Sequence, residues 1–519
     1  MGILQTLFKA EDDIQGSKVR AIFIAAFVAF GGILYGFDTG TISGVLAMDY
    51  VKQTFTKTGK FTSGETSLIT SILSAGTFCG SLFAPLVSDT LGRRLGLLVA
   101  CAIFTLGVIL QTASTTQPLL IVGRVFAGGG VGVLSAIVPL YQSEAAPKWI
   151  RGAVVSCYQW AITIGLLLAA CVNQGVKDRH DSATWRIPFA IQLLWMLIMA
   201  IGMIILPETP RFYVMKEKNE KAAKSLSRLR GLPVDHPIIE KELEEIIANF
   251  NYEKSLGSTT ILDCFKTANH QLKRMLIGIV IQALQQLTGI NFIFYYGVQF
   301  FQTSGIDNPF VIQLVMNIVN VIMTIPGIAL VELAGRRNLL LWGAIGMSAS
   351  EFIVAIVGTA LPNSTTANKT LIAFTCTFIA SFAATWGPLA WVVVGEIYPL
   401  RVRGKSVAIC AASNWLFNFA IAYATPYLVD SGKGNANLQS KVFFIWGACT
   451  FLCILFVYFF VYETKGLTLE QIDELFDTVP SARASKGFVP SVGGFAHAEN
   501  YDHESPEAEK AVVTQVEKV

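Results

Sequence analysis

Charge is scarce in this sequence: 14% of its 519 residues are Asp, Glu, Lys or Arg, against roughly a quarter in an ordinary soluble domain. Water is therefore not its main solvent. Its nine cysteines form no CxxC pair and mostly sit singly inside apolar runs. This excludes a disulfide framework and a zinc site and leaves packing as their role. A long basic run is also missing, since the net charge of +3 is spread over many loops, so nucleic acid is not an expected partner. No GxxxxGK[ST] occurs: Gly404-Lys405-Ser406 imitates its end, but Pro399 occupies the position of the first glycine. Nucleotide-driven pumping is excluded on that ground. No nucleophile and base pair stands out, so the chain is not expected to be an enzyme, and neither metal nor cofactor is expected.

What is abundant is apolar: 53% of residues are hydrophobic and the mean hydropathy is +0.54. A bilayer-crossing helix needs about 20 largely apolar residues. Candidates fall near 21–47, 66–88, 95–113, 118–140, 153–174 and 187–206, and again near 273–301, 308–333, 338–361, 369–397, 405–430 and 440–462. The expected fold is thus an all-α membrane protein of twelve spans in a lipid bilayer. Its parts are an N-terminal segment 1–20, a six-helix bundle 21–206, a charged helical linker 207–271, a second bundle 272–463, and a largely disordered polar tail 464–519. The first apolar run carries Asp38 and is too long for a signal-peptide core, so it reads as a retained span.

Placing both termini in the cytoplasm puts Arg93, Arg94, Lys148, Arg151, Arg336, Arg337, Arg401, Arg403, Lys405 and the linker lysines inside, as the positive-inside tendency requires. Lys52, Lys57 and Lys60 in the first outer loop run against it, flanked by Asp49 and Glu65. The two N-x-S/T sequons, at Asn363 and Asn368, share the loop between spans nine and ten, which this orientation places outside. Their use would imply a eukaryotic secretory route.

An internal repeat is visible. Glu144, Pro147, Arg151 and Gly152 return at an offset of 252 as Glu396, Pro399, Arg403 and Gly404. Gly92-Arg93-Arg94 matches Gly335-Arg336-Arg337, and Glu208-Thr209 matches Glu463-Thr464, at nearly the same offset. The chain is a duplicated six-helix unit whose copies share orientation, related by an axis along the membrane normal. Repeated charges at helix ends, Asp89, Arg93, Glu144 and Arg151 in one copy and Glu332, Arg336, Glu396 and Arg403 in the other, suit a cytoplasmic gate. Arginine anchoring of topology is the competing reading.

Polar side chains inside spans are costly and usually face a cavity or a partner. In span seven, Gln282, Gln285 and Gln286 lie on one helical face, followed by Thr288-Gly289-Ile290-Asn291. Span eight adds Asn317, Asn320 and Thr324, span eleven Asn414 and Asn418, and span five Gln159. Neutral amides both donate and accept, which suits a ligand of many hydroxyls, and Trp386 or Trp391 offers an apolar face for a ring, with ordinary core or an interface anchor as the equal alternative for either. Interhelical hydrogen bonding would use the same residues.

Asp38 and Arg124 are the deepest ionisable residues of the first half. Glycines at 32, 36, 40 and 44 on span one, and at 128 and 132 beside Arg124 on span four, suggest that these two helices approach closely there. Relative motion of the pair would change the proton affinity of Asp38. A permanent ion pair is the alternative.

The ordered motifs SDTLGRR at 88–94, GRVFAGGGVG at 123–132, PETPRF at 207–212, QQLTGIN at 285–291, ELAGRR at 332–337, WGPLAW at 386–391 and YETKG at 462–466 resemble the sugar porter family of the major facilitator superfamily. GFDTGTISG at 36–44 looks most like fungal hexose carriers. The resemblance implies that Gln159, Gln285, Gln286, Asn291, Asn320, Trp391 and Asn414 line a sugar site. It also implies that Asp38 and Arg124 match the proton-coupling positions of symporters, although yeast facilitators keep the aspartate as well. Gly31-Gly32-Ile33-Leu34-Tyr35-Gly36 resembles a run associated with pentose acceptance, and Ala383 stands where animal facilitators use a glutamate. The expected function is monosaccharide transport at the plasma membrane by proton symport, with an uncoupled facilitator second and a non-transporting sugar sensor, usually longer in its tail, as the alternative of another class.

Overall fold

The computed structural model describes residues 24, 27–146, 151–255, 260–267, 270–361, 364–432, 434–467 and 469–489. Eleven stretches among them are helical, long and apolar enough to cross a membrane. A twelfth, α1 (Gly31–Ala47), supplies the remaining span. In the first half it is followed by the short α2 (Asp49–Phe55), α3 (Ser63–Leu91), α4 (Arg93–Ala113), α5 (Gln117–Ala145), α6 (Arg151–Val176) and α7 (Ala183–Ile205). Three linker helices come next: α8 (Pro210–Met215), α9 (Asn219–Arg230) and α10 (Pro237–Ser255). The second half has α11 (Gln271–Leu287) with α12 (Ile290–Thr303), α13 (Pro309–Ala334), α14 (Arg336–Ala360), α15 (Thr365–Ala384) with α16 (Trp386–Glu396), α17 (Leu400–Val429) and α18 (Val442–Phe460).

Local chemistry sets several ends. Thr62 and Glu65 form a reciprocal capping box at the start of α3. Gly92 and Gly335, at φ +98° and +84°, make the sharp turns into α4 and α14. Span seven breaks into α11 and α12 at Gly289, φ +78°, where a Cβ would lie 2.5 Å from Trp446. Span ten breaks at Thr385, whose φ is −133° and ψ −84°. Helix ends at the level of the linker are called here the linker end, the others the far end.

The glycine stripes meet other partners than the sequence suggested. Those of α1 face α6, where a Cβ on Gly36 would sit 2.0 Å from the Ile162 carbonyl oxygen and one on Gly44 2.3 Å from Asn173 Nδ2. Gly128 and Gly132 of α5 face α3, with Leu73 and Thr77 carbonyls 2.2 and 2.3 Å from the same construction. The reason is angular: Asp38 lies two residues, about 200° around the helix, from Gly36 and from Gly40. One face of α1 can therefore pack on α6 while another presents the acid.

The expectation of a largely disordered tail fails for its first part. Helix α19 (Leu469–Thr478) buries Ile472, Leu475 and Phe476 against the second half. Arg274 at the foot of α11 pairs with Asp473 and lies over the Phe476 ring at 4.4 Å. Residues 490–519 of the tail lie outside the described residues.

Hydrogen bonds joining the halves run from mid-membrane to the far end. Ser74 Oγ donates to Asn418 Oδ1 at 2.6 Å, Trp160 Nε1 to the Val321 carbonyl at 3.3 Å, and Ser67 Oγ to the Tyr423 carbonyl at 2.7 Å. Beyond the spans, Ser63 Oγ donates to Asp430 at 3.3 Å and accepts from Asn435 at 2.7 Å.

Candidate functional site

The polar stripe of α11 turns toward α16 and α17. Asn414 Nδ2 donates to Gln282 Oε1 at 2.7 Å and to Gln285 Oε1 at 2.8 Å, while Gln286 Nε2 donates to Asn414 Oδ1 at 2.8 Å. Asn291, the second residue of α12, donates to Gln286 Oε1, and so does Asn418 at 3.2 Å. Gln285 Nε2 reaches the carbonyls of Trp386 and Gly387 at 2.9 and 3.0 Å. From the other half, Gln159 Nε2 lies 3.6 Å from where a Cβ on Gly387 would stand. Seven amides from three spans are thus joined or adjacent. All but Gln159 are buried, and their mutual bonds keep them satisfied without a ligand.

Other expected residues sit at the margin of this cluster. Asn320 is buried on α13, where its carbonyl accepts from Thr324 Oγ1 at 2.7 Å. Trp391 is half-buried on α16. Trp386 offers no face to a ligand: it is wholly buried, and its indole N–H donates to the Leu340 carbonyl at 2.9 Å. Its place at the first residue of α16 turns it into the core of the second half. Across the interface, Tyr35 of α1 meets Trp415 of α17 edge-on at 5.1 Å.

Asp38 and Arg124 do meet, with Oδ2 and Nη1 3.7 Å apart and neither side chain exposed. No hydrogen bond of ordinary geometry reaches their five polar atoms, and the buried Gln192 amide stands beside the Asp38 carboxylate. A third intramembrane ionisable residue, Glu351 on α14, accepts from Thr450 Oγ1 at 2.8 Å. A lone acid inside the run 338–361 was its sequence signal.

At the linker end the duplicated charges form two matching clamps. Arg93 Nη2 pairs with Glu144 Oε1 at 2.9 Å, and Arg336 Nη2 with Glu396 Oε1 at 2.9 Å. Thr209 Oγ1 donates to Glu144 at 2.6 Å and Thr464 Oγ1 to Glu396 at 2.7 Å. Asp89 lies 3.6 Å from Arg93, and Arg403 donates to the Tyr398 carbonyl at 3.1 and 3.0 Å. The side chains of Arg151 and Glu332 lie outside the described residues.

Two residues of the repeat complete these clamps. Glu208 accepts from the backbone N–H of Arg93 and Arg94 at 3.1 and 2.9 Å, and Glu463 from those of Arg336 and Arg337 at 2.8 and 3.1 Å. Each carboxylate caps the N-terminus of a span, where unpaired N–H groups and the helix dipole favour negative charge. Burial pushes the Glu208 carboxyl above its ordinary value, while the N–H donors of Thr209, Arg94 and Arg93 and the charge of Arg93 act against it. The described ion pairs in this set bind helices within one half. Asn368 is partly exposed in the first turn of α15 at the far end; Asn363 lies outside the described residues.

Two six-helix bundles in the same orientation, broken spans beside a polar cluster, and an axial interface define a membrane carrier of the major facilitator fold. The family model for the sugar (and other) transporters matches residues 24–476, and the chain belongs to that family. It is 53% identical over 514 residues to the major facilitator-type transporter ecdD of Aspergillus rugulosus, covering 96% of this chain and 94% of the relative. It is 50% identical to the high glucose sensor RGT2 of Saccharomyces cerevisiae over 90% of this chain, but spans 62% of that protein. The fold matches the MFS proton:xylose symporter XylE bound to 6-bromo-6-deoxy-D-glucose with a TM-score of 0.76 at 27% identity, covering 89% and 100% of the two chains. The chain is accordingly a multi-pass membrane protein of the sugar transporters, not an enzyme.

Proposed function

We propose that this chain carries a monosaccharide, a hexose such as glucose and also xylose, across the plasma membrane by alternating access with proton symport. In this reading the linker end and both termini face the cytoplasm, the Asn363 and Asn368 sequons face outside, and the two clamps act as the cytoplasmic gate. The observation that carries it is the amide cluster of Gln285, Gln286, Asn291 and Asn414 at the junction of the halves. Its neutral groups bond one another when empty, so sugar hydroxyls can replace those bonds one for one with little desolvation cost. Gln159, Asn320 and Trp391 border the cluster as further sugar contacts. Kinship supports the substrate: a relative 46% identical over 95% of this chain bears the name probable glucose transporter rco-3, of Neurospora crassa.

Coupling rests on the Asp38–Arg124 pair. Separating its members would leave a lone carboxylate in low dielectric, which a proton neutralises at far smaller cost than an uncompensated charge. In proteoliposomes lightly buffered outside, addition of a transported sugar is expected to alkalinise the medium. Transport without alkalinisation would leave the sugar reading standing and remove the proton, giving a facilitator. A sugar sensor is the second reading, favoured by the similarity to RGT2. Uptake in a transport-null cell separates the two, because a sensor binds sugar without accumulating label.

A further inference from the structure

Among the described residues, apolar side chains exposed in bulk are confined almost wholly to the spans, with one concentrated exception. A 3-10 turn, Ile261–Phe265, lies at the foot of span seven and exposes Ile261, Leu262 and Phe265 by 63%, 76% and 40%. Water would make such a patch costly. The turn is held in place from three directions. Thr260 and Asp263 cap it reciprocally, Cys264 is fully buried beneath it, and the Lys266 carbonyl accepts from the Leu272 N–H at 2.9 Å, fastening it to the first turn of α11. On the adjoining α11, Leu276 is 50% exposed.

We infer that Ile261, Leu262 and Phe265 insert into the adjacent membrane leaflet as an interfacial anchor for the foot of α11, their occupant being lipid acyl chains. Charge fits this placement. Lys266, two-thirds exposed beside the turn and paired with Asp263 at 2.6 Å, suits a headgroup level that carries anionic lipid, whereas Lys273, the third residue of α11, donates to the Tyr462 hydroxyl at 2.6 Å. Apolar residues entering the acyl boundary beside an exposed lysine form a usual interfacial arrangement. The anchored helix carries Gln282, Gln285 and Gln286, so the leaflet grips the span that presents most of the amide cluster.

The test uses the full chain in vesicles of phosphatidylcholine and phosphatidylserine doped with a phosphatidylcholine bearing a diazirine in its acyl chain. After illumination, adducts are mapped by mass spectrometry. Adducts on the 260–273 peptide are expected, alongside adducts at Phe83, a 63% exposed residue on α3 that serves as the lipid-facing reference. Labelling of Phe83 with none at 261–265 overturns the inference, and so does crosslinking of this turn to a second copy of the chain. Leu262→Glu is expected to reduce the yield on this peptide at least fivefold with Phe83 labelling retained, and an unchanged yield also overturns it. Should Leu262→Glu lose Phe83 labelling as well, Leu262→Ser replaces it under the same criterion.

Discussion

Replacing Asp38 by asparagine tests the charge pair and its coupling role together. The substitution keeps side-chain shape, so no cavity arises; it removes the charge opposing Arg124, whose three guanidinium nitrogens have no hydrogen-bond partner. Asp38 and Arg124 are both fully buried, 3.7 Å apart. Breaking such a pair by removing one partner costs about 3–5 kcal/mol, whereas removing both charges together is often near neutral. Asp38→Asn is therefore expected to melt well below the parent in lipid nanodiscs, and Asp38→Asn combined with Arg124→Gln to recover most of the loss. The non-additivity of that cycle measures the pair directly. In transport, the single variant should exchange sugar across proteoliposomes but fail to accumulate it against a gradient when a proton gradient is imposed. Parental melting together with full concentrative uptake would refute the reasoning.

Further expectations come from the clamps and the helix contacts. Glu208→Ala and Glu463→Ala remove matching N-caps and should each destabilise by about 1–2 kcal/mol, read as similar drops in melting temperature; a large effect in one half alone would contradict the atom-for-atom repeat. Because burial raises the Glu208 carboxyl above its ordinary 4.5, the folded form binds more protons than the unfolded chain above that pH. The stability this shift contributes is complete below 4.5 and declines as pH rises through the raised value. The melting difference between the parent and Glu208→Gln, followed from pH 4.5 to 7, should fall in that direction, and a rising difference would reverse the sign. Gly36→Val places side-chain atoms against the Ile162 carbonyl and should abolish monodisperse protein on size-exclusion chromatography, whereas the same change at Gly395, where a Cβ meets nothing, should be tolerated.

Legibility in the sequence followed the range of each signal. Spans, repeat and the i, i+3, i+4 stripe at Gln282, Gln285 and Gln286 are local or periodic, and each was readable from spacing. The meeting of Asp38 with Arg124 was also expected, but for a partly wrong reason. Glycine spacing shows that a helix has a close neighbour without naming it, and the stripes of α1 and α5 chose α6 and α3. Trp386 stayed undecided between ligand face and core because an aromatic in a polar neighbourhood has two ways to turn, and the break at Thr385 directs it inward. Glu208 and Glu463 were visible as repeated residues, yet capping a helix more than a hundred positions away is a tertiary fact. Docking of α19 escaped for the same reason: Phe476 and Asp473 are ordinary helix residues until Arg274 lies opposite them.

In the proposed reading, the broken helices tie sugar binding to motion. Among the described residues, the second to sixth spans of the first half are single helices, while spans seven and ten of the second half each consist of two pieces. The break in span ten lies just before Pro388, which has no N–H to offer the Ala384 carbonyl four residues back. Gln285 supplies donors there, to Trp386 and Gly387, and it belongs to the cluster proposed to hold sugar. In the proposed reading, a hydroxyl that draws the Gln285 amide away removes this tether on α16 as it occupies the site, so ligand and the span-ten break compete for one side chain. Gln285→Leu should then weaken sugar binding by about two- to tenfold, the worth of one neutral hydrogen bond of roughly 0.5–1.5 kcal/mol. It should also raise hydrogen exchange in the 385–391 segment without sugar, to the level that saturating sugar produces in the parent. Exchange in that segment that ignores both the substitution and the sugar would separate the hinge from the binding site.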